Sequence, residues 1–209
     1  MHEGRHRNAE VGARIATFVA PLRPSNRSLS ARNVAALVRC LALWGRYPQL
    51  RGRLFYLGAG AEIRVERQAK IQIAPGLRCM RGFTLVVAGE LQIGRGVGFN
   101  RGCYLAALER VVIGADCLFG EGVSIHDENH QFGPDGAGPI ANRGFRTRPI
   151  TIGRNVWVGA KATILQGVAI GDNAVIGAHS VVTGDVPANS VAVGIPARVV
   201  RTFGPRDAG

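Results

Sequence analysis

Along most of this chain an aliphatic residue, or one of similar size, returns every six positions, often with Gly behind it and a small or β-branched residue four places on. The cleanest run is Ile152, Val158, Ile164, Ile170, Ile176 and Val182, with Gly153, Gly159, Gly171 and Gly177 directly behind four of them. Earlier triplets are Ile73, Cys79, Leu85, then Ile93, Phe99, Leu105, then Ile113, Phe119, Ile125, each set off from the next by two extra residues. This is a six-residue repeat grouped in threes. A helix needs apolar positions near a 3.6 period, and a spacing of six scatters them over divergent faces. An even spacing keeps them on one face of an extended chain, where side chains alternate.

Three short extended segments joined by tight turns close a triangular coil with the aliphatic residues inside. At about 4.8 Å per coil, five legible coils predict a prism roughly 24 Å tall. Hydrogen bonds in such a stack run from coil to coil, so no single repeat is stable alone and both ends need caps. The expected class is all-β: a parallel β-helix of six-residue repeats with an N-terminal helical segment and one long loop excursion. The expected organisation is a basic, partly helical segment over 1–56, the β-helix over 57–203 and a tail over 204–209.

Two stretches escape the repeat. Residues 131–149, QFGPDGAGPIANRGFRTRP, hold four Gly and three Pro with no period, and a loop of that length on a compact solenoid is usually functional. It is entered through SIHDENHQF, which carries two of the three histidines beyond the first ten residues. Near the N-terminus, Ser28 or Ser30 is placed to cap a helix bearing Val34, Leu37, Val38 and Leu41 on one stripe, with Trp44 at its end. That stripe is expected to dock on the main body, leaving Arg32, Arg39 and Arg46 on a solvated basic face.

Composition narrows the function. Apolar residues make up 46% and aromatics 6%, with 29 Gly, which excludes disorder and collagen and fits a Gly-punctuated repeat. The net charge of +12 is lopsided: residues 1–82 hold 15 Arg/Lys against 4 Asp/Glu, residues 83–209 hold 11 against 10. A basic amphipathic helix allows peripheral contact with an anionic membrane surface or a polyanionic substrate. No helix-turn-helix pattern, zinc spacing or aromatic-basic interleaving accompanies the charge, so nucleic acid is not an expected partner. Cys40, Cys79, Cys103 and Cys117 show no Cys-x-x-Cys pair and read as small buried hydrophobes. The charged first ten residues do not resemble a secretory leader, and no run reaches the roughly 18 apolar residues of a membrane span. A cytoplasmic location is expected.

Three segments carry a resemblance: NHQF (Asn129 to Phe132), ITIGRNVWVGAKATILQGVAIGDNAVIGAHSVVTGDVP (Ile150 to Pro187) and GIPARVVR (Gly194 to Arg201). They resemble the hexapeptide-repeat acyltransferases, in particular the galactoside, maltose, exopolysaccharide and xenobiotic O-acetyltransferases. With the earlier repeats the likeness covers about two thirds of the chain. It implies a left-handed β-helix, contrary to the usual right-handed crossover, assembled as a homotrimer with active sites between subunits. It also implies acetyl-CoA as acyl donor and a sugar-containing acceptor.

Moving an acetyl group to a hydroxyl calls for a base near the acceptor oxygen, and imidazole suits the task near neutral pH. The resemblance assigns that role to His130. By the same resemblance Asn100 matches a position that bonds the acceptor sugar; as an Asn it suits a turn equally well. His126 and Asp127 are further acceptor-contact candidates, and Asp127 or Glu128 would orient the His130 ring. The coenzyme would run past Trp157, Gly159, Ala160 and Ala178 toward Thr183, Arg198 and Arg201, where guanidinium groups suit phosphates. Gly184 follows Thr183 where the family often has Lys, so one phosphate contact is missing or comes from Arg198. His179 stands at a turn where the family commonly has Gly. None of the cysteines lies beside the candidate base, so direct transfer without an acyl-enzyme is expected. Competing uses of such a repeat are N-acetylation of an aminosugar, a non-catalytic scaffold, and a zinc hydratase that would need His126, His130 and His179 on one metal. No metal is expected.

Overall fold

The computed structural model describes residues 31–50, 56–133 and 138–204; the capping serines Ser28 and Ser30 lie outside them. The chain winds as a three-faced parallel β-helix. The first face stacks Tyr56–Leu57, Arg78–Cys79, Gly98–Phe99, Leu118–Phe119, Trp157–Val158, Val175–Ile176 and Ser190–Gly194. The second stacks Glu62–Val65, Thr84–Val87, Tyr104–Ala107, Ser124–His126, Thr163–Ile164 and Val181–Val182. The third stacks Lys70–Ile73, Glu90–Ile93, Arg110–Ile113, Ile150–Ile152 and Ala169–Ile170. A last strand, Ala197–Thr202, turns back antiparallel on Ser190–Gly194 and closes the C-terminal end.

The six-residue period works as the alternation argument requires. Cys79, Phe99, Phe119, Val158 and Ile176 lie directly above one another in register, all at most 2% exposed. The Phe99 and Phe119 rings stack at 4.5 Å inside that column. Coil-to-coil N–H···O bonds run at 2.7–3.2 Å along the stack, so each coil's backbone is satisfied by the next. The coils approach most closely at the corners: a Cβ on Gly159 would lie 2.5 Å from the Ala178 nitrogen, so no larger residue fits there.

The structure adds a coil that the period did not reveal, Tyr56 to Ile73. Its corner between the second and third faces runs through Glu66 to Ala69, which stretches the interval from Ile63 to Ile73 to ten and hides the repeat. The two extra residues between the later triplets sit at the same edge, as Ala88–Gly89 and Leu108–Glu109.

Helix α1, Ala31–Arg46, covers the open end of the first coil with a different face from the one expected. Ala36 and Cys40 are the buried positions, with Leu43, Trp44 and Tyr47 packed beside them. Val34, Leu37, Val38 and Leu41 point to solvent. The docked face of the helix thus joins the small Ala36 and Cys40 to the larger Leu43 and Trp44. Arg39, expected on the solvated face, donates from Nε to the Leu57 carbonyl at 2.9 Å, and the Tyr47 hydroxyl donates to the Ile63 carbonyl at 2.8 Å. All four cysteines are buried thiols, and burial pushes those of Cys103 and Cys117 up to about 11.

Candidate active site

At the second edge of the fourth coil the chain leaves the prism. Asp127, the first residue past Ser124–His126, turns inward and is fully buried. Its carboxylate accepts the N–H groups of Leu108, Glu109 and Arg110 at 2.8 Å each. This corrects the expectation that Asp127 meets an acceptor or orients His130, since its oxygens are spent on the backbone of the coil below. Burial pushes the carboxyl up from its ordinary range, while the three N–H groups pull it back.

Beyond Asp127 the loop is a hairpin arm. Glu128–His130 pairs antiparallel with Phe145–Thr147, placing His130 opposite Phe145. Arg148 N–H donates to the Asp127 carbonyl at 2.9 Å, and Gln131 N–H to the Gly144 carbonyl at 3.1 Å. Farther out, the Arg143 guanidinium gathers the Gly133 and Gly138 carbonyls beside the single turn Ile140–Asn142. His130 is exposed, its ring 4.5 Å from that of Phe145.

A second imidazole is held more tightly. Ser124, His126 and Glu128 alternate along the extended chain and so share its outer side. Ser124 Oγ lies 2.7 Å from His126 Nε2, and His126 Nδ1 lies 3.0 Å from Glu128 Oε1. A carboxylate only accepts, so Nδ1 donates to it, and in the neutral ring Nε2 accepts the Ser124 hydroxyl. Tyr104 stacks on the ring at 4.9 Å, and its phenol is pushed up first by burial and then by the Glu128 charge. Glu128 therefore orients His126, not His130, and its buried Oε2 has no hydrogen-bond partner. Ser124 was not singled out from sequence; the signal was the Ser-x-His-x-Glu alternation in an extended segment.

The other expected residues fall on separate parts of the prism. Asn100 lies at the first edge, exposed, its Oδ1 accepting the Arg101 N–H at 2.8 Å as a turn residue does. Gly159, Ala160 and Ala178 share that edge, with His179 in the left-handed region at φ 59°. Trp157, 58% exposed, stands on the first face between Leu118 and Val175. Arg198 and Arg201 are exposed on the returning strand beyond it; Arg198 donates to the Ala197 carbonyl and Arg201 lies over the Phe203 ring. Thr183 is exposed just past Val181–Val182, on the same edge as His130 two coils away. Within one chain, then, the second face separates His130 and Thr183 from the remaining coenzyme candidates. Among the described residues no group of three or more His, Cys, Asp or Glu gathers as a metal site, and His179 is on the opposite edge from His126 and His130.

The chain is thus a three-faced parallel β-helix of six-residue repeats with an arm at one edge. Comparison with known proteins bears this out: the family described as bacterial transferase hexapeptide (six repeats) matches residues 149–184. The galactoside O-acetyltransferase of Escherichia coli (strain K12) is 39% identical over 122 residues, covering 56% of this chain and 57% of that protein. The chain thus spans little more than half the length of the curated relatives it matches. The crystal structure of a maltose O-acetyltransferase from Clostridium difficile 630 aligns over 97% of this chain and 89% of its own, at 25% identity and a TM-score of 0.50. A hexapeptide-repeat acetyltransferase from Vibrio cholerae, solved with acetyl coenzyme A, shares the fold at 20% identity and a TM-score of 0.50, over 92% of this chain and 85% of its own. In sequence and in fold the chain resembles the hexapeptide-repeat acetyltransferases.

Proposed function

We propose that the protein is a cytoplasmic, acetyl-CoA-dependent O-acetyltransferase that acts on a sugar hydroxyl, with His130 as general base. The observation that carries this reading is the exposed imidazole of His130 on a hairpin arm at the edge of the β-helix, in a chain similar to a galactoside O-acetyltransferase. The acceptor hydroxyl gives its proton to His130 as its oxygen bonds the acetyl carbon. The carbon–sulfur bond breaks, and His130 returns the proton to the departing thiolate. An exposed indole, small residues along the first edge and two exposed guanidinium groups beyond them fit the pantetheine arm and phosphates of the acyl donor.

The separation of these groups within one chain supports a homotrimer. Four extended residues span about 13 Å, so the second face keeps the arm of one copy away from its own first edge. A neighbouring copy that lays its first edge against the arm completes the constellation, with exposed Phe132, Ile140 and Phe145 available to line the acceptor pocket.

A second reading puts the base at His126, because that ring has the carboxylate partner that orients a catalytic imidazole. Two variants separate the readings. His130→Ala is expected to lower turnover roughly 10² to 10⁴-fold with the melting temperature unchanged. His126→Ala is expected to act mainly on acceptor KM; the reverse pattern transfers the role to His126.

A further inference from the structure

We propose that helix α1 is an interfacial anchor that seats the protein on an anionic membrane through Val34, Leu37, Val38 and Leu41. The helix is already fixed to the β-helix by its other side, through Ala36, Cys40 and the Arg39 and Tyr47 hydrogen bonds to coil-one carbonyls, so the stripe is not needed for docking. These four residues follow i, i+3, i+4, i+7 and so form one continuous strip along the helix. They are 45%, 47%, 58% and 51% exposed; exposed Ala35 and Ala42 widen the strip to one side, and Gly45 continues its line.

Charge selects the partner. Residues 11–61 contain eight Arg and no Asp or Glu, so the strip is embedded in the most uniformly cationic stretch of the chain. An anionic bilayer is the surface that rewards both features at once: arginines are drawn to its headgroups and apolar side chains enter below them. The helix has 16 residues, and no described helix is long and apolar enough to cross a membrane, so it lies in the interface plane. Because α1 covers the first coil, the N-terminal end of the prism faces the lipid and the arm at coil four stands clear of it.

The test is flotation of the full-length protein with phosphatidylcholine vesicles, with and without phosphatidylglycerol, at low and high salt. The expected result is binding to the anionic vesicles alone, weakened by salt and lowered at least about tenfold by Leu37→Glu with Leu41→Glu. Leu37→Ala with Leu41→Ala, which keeps helix propensity, is expected to fall between. Failure of the wild-type protein to float overturns the proposal. So does equal flotation of the Glu variant, which would mean that charge alone binds. A lowered melting temperature or a changed oligomeric state in the Glu variant, with no lipid present, also overturns it, since the strip would then be covered by protein. Partition onto lipid is read without turnover, so the outcome is independent of the reaction proposed above.

Discussion

The second edge of the prism is built in two ways, and the contrast explains how a stack of hydrogen-bonded coils can release an arm. At the second coil, the N–H groups of Ala88, Gly89 and Glu90 donate to main-chain carbonyls of the coil above, at Ala107 and Glu109. At the third coil, the equivalent N–H groups of Leu108, Glu109 and Arg110 have no such carbonyls, because the fourth coil has left the prism to form the arm. One carboxylate, Asp127, takes all three. A coil corner can be opened only where a side chain replaces the missing acceptors, since buried N–H groups left unpaired are costly. The arm then begins one residue later with Glu128, and reaches His130 two residues after that.

This contrast separates what holds the arm from what acts on it. The largest effect belongs to the chemistry: His130→Ala should cost two to four orders of magnitude in turnover, measured under saturating donor and acceptor, while thermal melting is unchanged. A matching loss of stability would place His130 on the structural side. Asp127→Ala comes next, with an expected loss of roughly 3 kcal/mol in folding stability from the three orphaned N–H groups, read by chemical denaturation. A neutral outcome would mean that water or the chain replaces the carboxylate, and the corner argument would fail.

How much of this was legible from residues alone follows the same division. The inward positions from Ile73 to Val182, spread over three faces, were readable because an even period has one meaning in an extended chain. The first coil was not, because four residues at the Glu66–Ala69 corner break that period. The sequence places helix α1 but not its rotation: Val34, Leu37, Val38 and Leu41 are the more regular aliphatic line, yet the first coil takes Ala36, Cys40, Leu43 and Trp44. Asp127 reads as an acceptor contact or an orienting acid until one knows that its neighbouring corner lacks a partner. The pairing of Glu128 with His126 instead of His130 depends on which residues alternate onto one side of the strand, and the strand's end at His126 is not marked in the sequence.

Two smaller effects sharpen the division further along the stack. Arg201→Ala, at the closing strand, should raise the KM for acetyl-CoA about tenfold, as expected for one charge-assisted phosphate contact, with kcat nearly unchanged; a fall in kcat at saturating donor would remove its assigned role. At the third edge, the Arg154 backbone N–H and guanidinium hold the Asp172 carboxyl below the usual carboxylate range. A depressed folded value adds stability above the unfolded value near 3.9, and that stability fades as pH falls through the folded one. Asp172→Asn should therefore flatten the acid limb of a stability profile slightly, and an unaltered limb would show that the pair contributes nothing.

The most direct measurement is release of free coenzyme thiol from acetyl-CoA across a panel of hydroxylated and aminated sugars, with the acetylated product weighed by mass spectrometry. The account predicts release that depends on a hydroxylated sugar, matches ester formed and collapses in His130→Ala. Release that occurs without any acceptor, that yields only amide on aminated sugars, or that survives in His130→Ala would contradict it.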